Sequence, residues 1–305
     1  MERKVIEKLV LSSDKEHELH GVVYLPDGEP KGLFQIVHGM IEHIGRYERF
    51  MNYLCDNGYI VFGHDHLGHG ATARDESEYG FIAHKNGWQR LVDDVALFGS
   101  AVREEYGKDL PYVLMGHSMG SFIARLVAEQ YDMHDKLIIM GTGGPNPAAG
   151  PGLAIIRMLK VFKGERKHSD FIEKIAFGKY NEHFKDENDY KSWLSSIPEE
   201  REKNKTDPLC NFWFSLSGMD DLLMVNKLSN RKEWAASLNK EKPVLLVSGT
   251  EDPVGEYGEG VKKVAGMLRD AGIKVTLKLY EGARHEILND VCREETFSDI
   301  TDFCK

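Results

Sequence analysis

The pentapeptide Gly116-His117-Ser118-Met119-Gly120 follows an apolar strand-like run at 111–115. It precedes a run with Phe122, Ile123, Leu126, Val127 and Tyr131 at helical spacing. Gly-x-Ser-x-Gly between a strand and a helix is the pattern of a nucleophile elbow, a turn so sharp that the serine is strained and its hydroxyl pushed outward. Glycines flank it because a side chain at either place would collide with the turn. The helix that follows points its positive end at the serine, which favours a developing anion. Such a serine needs a base, and the order this turn demands along a chain is serine, acid, histidine. Of thirteen histidines, His285 alone follows His183. Asp252 lies between, in the turn signal Thr250-Glu251-Asp252-Pro253 after the apolar run 243–249. The implied chemistry is acyl transfer. Ser118 attacks, His285 shuttles the proton, and Asp252 fixes the imidazole tautomer. Asp220 and Asp221 are weaker rivals for the acid, because no strand signal precedes them. The Met119 N–H and the Met40 N–H, in the loop His38-Gly39-Met40, are the expected donors to the oxyanion.

These residues need a scaffold that brings them to one edge. Strand signals recur at 18–25, 33–37, 59–62, 111–115, 136–140, 243–249 and 274–280, and helix signals at 46–57 and 88–106. The alternation predicts an α/β fold with a mostly parallel sheet and helices on both faces. Ser118, Asp252 and His285 then each fall just past a strand, along the edge where such sheets bind ligands. The rhythm breaks at the Gly- and Pro-rich run 141–152, which reads as a linker. Residues 145–232 are expected to form a helical cap, opening with a helix at 153–162, while 1–144 and 233–305 form the core domain. The cluster Phe212, Trp213, Phe214, Leu216, Met219, Leu222, Leu223 and Met224 is expected chiefly as the cap's own packing, with a minority facing substrate.

The bulk properties narrow the class. The chain has 305 residues, 41% of them hydrophobic and 29% charged, as in an ordinary globular protein. A net charge of -10 argues against nucleic acid and gives no attraction to an anionic membrane. Cys55, Cys210, Cys292 and Cys304 show neither paired nor metal-ligand spacing, so reduced thiols in the cytoplasm are expected. The start, Met1 to Lys8, lacks a signal-peptide core, and no run approaches the roughly 20 apolar residues that span a bilayer. His64-x-His66-x-x-His69 has spacing that zinc could use. It is faintly similar to the metallo-β-lactamase motif, but that motif has an aspartate where Gly68 stands and needs further histidines downstream. A structural loop is the preferred reading, with no metal and no cofactor expected.

Several segments together resemble one family. His38-Gly39-Met40-Ile41-Glu42-His43 with Arg46-Tyr47 looks like an HGxxEHxxRY segment. Asp65-His66-Leu67-Gly68-His69-Gly70 looks like DHxGHG, and Gly282 to Glu286 like the loop carrying the family's histidine. With the elbow, these resemble the monoacylglycerol lipase and bacterial lysophospholipase branch of the α/β-hydrolases, the serine aminopeptidase-type family. Ser121 and Thr72 depart from it, standing where glycine and serine are usual. The resemblance implies an α/β-hydrolase fold with an eight-stranded sheet and a cap. It also implies a carboxylic ester hydrolase acting on monoacylglycerols, lysophospholipids or small acyl esters, with at most peripheral membrane contact through the cap. A non-catalytic ligand-binding protein on the same fold is one alternative, but such proteins usually lack a triad member and none is missing here; a metal-dependent hydrolase using His64, His66 and His69 is the lesser one. Nothing in the sequence encodes an oligomeric state.

Overall fold

The computed structural model describes residues 4–305; the first three residues of the charged start lie outside the described residues. Eight strands form one sheet: β1 (Val5–Leu11), β2 (Glu18–Tyr24), β3 (Gly32–Val37), β4 (Tyr59–His64), β5 (Tyr112–His117), β6 (Lys136–Met140), β7 (Val244–Gly249) and β8 (Val275–Tyr280). Their spatial order is β1-β2-β4-β3-β5-β6-β7-β8. Every pairing from β4 onward is parallel, and β2 runs antiparallel to both β1 and β4. Ten α-helices surround it: α1 (Glu48–Asp56), α2 (Gly87–Tyr106), α3 (Met119–Gln130), α4 (Ala149–Lys163), α5 (Asp170–Phe177), α6 (Pro198–Thr206), α7 (Leu216–Ser229), α8 (Lys232–Ser237), α9 (Glu259–Asp270) and α10 (Arg293–Cys304).

The strand period of two splits the core into two layers. Leu33, Ile60, Leu114, Ile139 and Leu246 pack one face against Val95 and Phe98 of α2, Ile123 and Val127 of α3, and Val264 of α9. Their neighbours Phe34, Val61, Met115, Ile138 and Val247 pack the other face against Phe50 and Leu54 of α1 and Phe297 and Ile300 of α10. The central strands are fully buried, so they read as unbroken apolar runs.

Two departures from the sequence expectation exceed a shift of a residue or two at an element's end. β1 was not among the expected strands. Its Val5, Leu9 and Leu11 point outward, 45–58% exposed, while Lys8 is among the inward side chains, so the usual polar-out alternation is absent. The helix expected at 153–162 begins at Ala149. Pro151 sits in its first turn, where a missing N–H costs nothing, so the Gly- and Pro-rich run is partly helix. Helices α4 to α8 all fall between β6 and β7, with no strand among them. None of the four cysteines forms a disulfide. Among the described residues no helix is long and apolar enough to cross a membrane.

The rival acids have structural roles away from the elbow. Asp220 pairs with Arg157 and Lys160 of α4. Asp221 caps α2 from α7: its Oδ1 accepts the Trp88 N–H at 2.8 Å, replacing a cap that Asn86, in a left-handed conformation, does not supply. Burial, reinforced by the charge of Asp220, pushes Asp221 up to about 7. A raised carboxyl prefers the protonated folded state, so stability falls as pH rises from about 4 to about 7. Asp221→Asn keeps an acceptor for Trp88 and removes that loss. Urea unfolding should find the variant more stable than wild type by about 1–2 kcal/mol at pH 8, and indistinguishable near pH 4.

Candidate active site

Ser118 occupies the single position between β5 and α3, at φ 54° and ψ -121°. A non-glycine residue there is strained, and the surroundings must hold it. A Cβ on Gly116 would stand 2.1 Å from the Gly120 carbonyl oxygen, and one on Gly120 would stand 2.1 Å from that of Val37. The elbow is thus wedged against the end of β3. The Ser118 N–H donates to Met140 O at 3.0 Å, and the Ser121 hydroxyl donates to Ser118 O at 2.6 Å. Ser121 also lies 2.8 Å from the Thr142 hydroxyl, so this departure from the expected glycine is fully bonded.

Asp252 and His285 sit on loops after β7 and β8, and backbone bonds splice the two loops together. Thr250 N–H donates to Tyr280 O and Glu251 N–H to Ala283 O, each at 2.9 Å. Gly249 permits the crossing, because a Cβ there would lie 2.0 Å from Ala283 O. The splice sets His285 Nδ1 3.0 Å from Asp252 Oδ1. Asp252 is fully buried and accepts from Val254 N–H at 2.9 Å and Ser248 Oγ at 3.1 Å. Burial opposes its charge, but the His285 charge and hydrogen bond and these two donors hold its carboxyl below the usual value. From the other side, the His285 N–H donates to Trp193 O at 3.3 Å and the Glu286 N–H to Leu194 O at 2.7 Å. Ser118 and His285 line one small cleft with Gly39, Met40 and Trp193.

A cavity of about 400 Å³ opens above Ser118, Met119 and Met40, lined largely by apolar side chains such as Phe122, Ile156, Phe177, Leu222 and Leu223. A second of about 710 Å³ shares Met40, Phe177, Trp193 and Met219 with it and adds the polar Asn181, Lys191 and Glu173. The Met40 loop is itself tight: Ile41 has φ 55°, and a Cβ on Gly39 would stand 3.0 Å from Ser118 Cβ.

Beneath the cleft lies a charged network to which the sequence assigned no role. Glu42 accepts from the Gly39 N–H and from Tyr47 Oη at 2.8 Å, with His117 Nδ1 at 3.3 Å. His117 Nε2 donates to His285 O at 3.2 Å, and the two rings lie 4.7 Å apart. Arg46 grips Glu286 through two bonds of 2.6 and 2.7 Å and reaches Glu42 at 3.3 Å. Burial opposes both charges, yet the His117 bond, Arg46 and the Gly39 N–H hold Glu42 well below the carboxylate range, and Glu42 in turn raises His117. Both ring nitrogens of His117 face acceptors, which suits the doubly protonated form. All five residues belong to the segments quoted above for family resemblance, so the signal was present without its meaning.

The histidine-rich loop packs on the same loop end. His66 N–H donates to His38 Nε2 at 3.0 Å, His66 Nε2 donates to His38 O at 3.1 Å, and His69 Nδ1 to Leu67 O at 3.0 Å. His64 stacks on Phe98 at 4.8 Å. Burial lowers His64 to about 3 and His69 to about 4, so the rings are neutral. Among the described residues His64, His66 and His69 are not one of the groups whose ligand atoms converge.

Residues 28–291 match the family described as serine aminopeptidase, S33. A monoacylglycerol lipase of Mycolicibacterium smegmatis is 27% identical over 96% of this chain and 98% of its own. A monoglyceride lipase of Rattus norvegicus is 30% identical over 88% of this chain and 82% of its own. The crystal structure of a thermostable carboxyl esterase from Bacillus coagulans, in complex with glycerol, superposes with a TM-score of 0.92 at 31% identity, covering 98% of this chain and 97% of that one.

The network yields a direct test. In Glu42→Gln the His117 protonation midpoint should fall below its wild-type value, as read by NMR of the ring protons. A depressed carboxyl stabilises the fold above its unfolded value, about 4.3, and that contribution is lost on acidification. The wild-type stability advantage over Glu42→Gln should therefore be full at pH 7 and shrink progressively below about pH 4.

Proposed function

This chain belongs to the serine aminopeptidase, S33, family of α/β-hydrolases, and on that premise we propose that it hydrolyses carboxylic esters through a Ser-His-Asp acyl-enzyme mechanism. The observation that carries the reading is the buried Asp252–His285 pair at 3.0 Å, spliced onto the cleft that Ser118 lines. Ser118 Oγ attacks the ester carbonyl while His285 Nε2 takes its proton. Asp252 holds Nδ1–H toward itself, which leaves Nε2 as the basic nitrogen and stabilises the imidazolium that forms. The Met40 and Met119 N–H groups receive the oxyanion. His285 then returns the proton to the departing alcohol, and a water molecule repeats the sequence to free the acid and Ser118.

The substrate class is a monoacylglycerol or similar lipid ester. Its support is the apolar lining of the 400 Å³ cavity beside Ser118, a size within the range of small-molecule sites, together with the lipases among its relatives. Residues 145–232 act as the cap that shapes this cavity, since Ile156 of α4, Phe177 of α5 and Leu223 of α7 all line it. Val161 and Phe162 of α4, 81% and 80% exposed, with Phe171 and Ile175 of α5, support peripheral contact of that cap with a lipid surface. Four cysteines that form no disulfide support a reducing compartment such as the cytoplasm.

Ser118→Ala should lower turnover of a p-nitrophenyl ester by about a million-fold. Asp252→Asn should lower it by about ten thousand-fold. Wild type but not Ser118→Ala should be labelled by a fluorophosphonate; equal turnover by both would end the proposal. Leu223→Trp, which fills the cavity opposite Gly152, should cut kcat/KM for long-chain glycerol esters by about ten-fold or more while changing acetyl esters by less than about twofold.

A further inference from the structure

Three ligand-type side chains converge away from the cleft. His43 comes from the loop after β3, three residues past Met40. Asp207 and Cys210 come from a single turn of 3-10 helix, Pro208–Cys210, just past α6. Their ligand atoms all lie within 4.8 Å of one another. His43 Nε2 is 2.8 Å from Asp207 Oδ2. The other Asp207 oxygen accepts the Leu209 N–H at 2.9 Å, so the carboxylate is fixed by the turn it caps and presents Oδ2 to the histidine. Pro208 stiffens that turn. Asp-x-x-Cys on a rigid turn, joined by one remote histidine, gives O, S and N donors already assembled.

Cys210 is fully buried. A divalent cation deprotonates a thiol that coordinates it, so the sulfur can serve as a thiolate ligand. A cleft of about 400 Å³, lined by His43 and Asp207 among Glu48, Glu200, Arg46, Arg49 and Lys203, opens two of the three side chains to solvent, and Cys210 lines the 710 Å³ cavity.

We propose that His43, Asp207 and Cys210 bind a divalent cation of the zinc class, with three protein ligands and water in the fourth position. Sulfur, imidazole and carboxylate together suit zinc or cadmium rather than magnesium or calcium. On binding, the Cys210 S–H proton leaves to solvent and the thiolate ligates. His43 coordinates through Nε2 as neutral imidazole, its proton carried on Nδ1, and the 2.8 Å contact with Asp207 is replaced by two bonds to the metal. The ion would tie the loop bearing Met40 to the segment between β6 and β7.

The test titrates metal-stripped full-length protein with cadmium, then zinc, in weak buffer. One cadmium per chain should produce a saturable thiolate-to-metal ultraviolet band, release protons and raise the melting temperature, and zinc should displace it. Cys210→Ser should abolish the band. His43→Gln and Asp207→Asn should weaken binding by about ten-fold or more. Melting curves without metal establish that each variant is folded, and Cys210→Ala replaces Cys210→Ser if that variant is not. No saturable band in wild type would overturn the proposal. So would a band of unchanged affinity in the Cys210 variant, which would assign it to Cys55, Cys292 or Cys304, or unchanged affinity in both His43→Gln and Asp207→Asn.

Discussion

Everything at the active edge depends on one close approach of backbone to backbone. The start of α3 passes so near the end of β3 that Gly120 has no room for a Cβ beside the Val37 and His38 carbonyls. That contact forces the turn at Ser118 into its strained conformation, and it also places the Met40 loop directly beside the serine. The proposed nucleophile and the proposed oxyanion donors are therefore set by the same steric fact. A side chain at Gly120 would displace both at once, which is why the constraint acts on geometry before it acts on stability. The sheet core supplies the rigidity that makes such strain tolerable, since β3 and β5 are buried on both faces.

Electrostatics complete what sterics begin. Glu42 holds the Gly39 N–H on one side and His117 on the other, and His117 holds the carbonyl of His285. One carboxylate thus links the loop beside Ser118 to the loop of the proposed base. Arg46 balances Glu42 and Glu286 together, so the buried charges are paired rather than isolated. The cluster beneath the cleft orients backbone, whereas the Asp252–His285 pair is the part assigned to the proposed chemistry. This division explains why a region so rich in titratable groups needs only three of them for the proposed reaction.

Much of this was legible in the chain. The central strands announced themselves because double burial makes them unbroken apolar runs, and the elbow because its glycines are sterically required. Ser118, Asp252 and His285 were proposed from their order along the chain; Ser118 and His285 line one cleft, and Asp252 lies 3.0 Å from His285. Other features carried no periodicity or chain order that revealed their roles. β1 is a peripheral strand with apolar residues facing out, so its pattern resembles neither core nor surface. The first turn of α4 hides behind Gly150-Pro151-Gly152, residues that mark loops unless position within the helix is known. Glu42, Arg46 and His117 look like ordinary polar residues until the fold places them under the same loop, because side-chain pairing across tens or hundreds of residues leaves no local periodicity. Asp221 was weighed only as an acid of catalysis, and its task is to finish a helix from outside that helix.

The pairing of His285 and Glu286 amides with the Trp193 and Leu194 carbonyls has a mechanical corollary. It staples the helical excursion between β6 and β7 to the loop that carries the imidazole. Were that whole excursion to swing open about its two chain ends, these bonds would rupture and the ring would lose its register. Any opening that keeps these bonds must leave this rim in place as the hinge and displace instead the helices α4 and α5, whose Val161, Phe162, Phe171 and Ile175 are exposed.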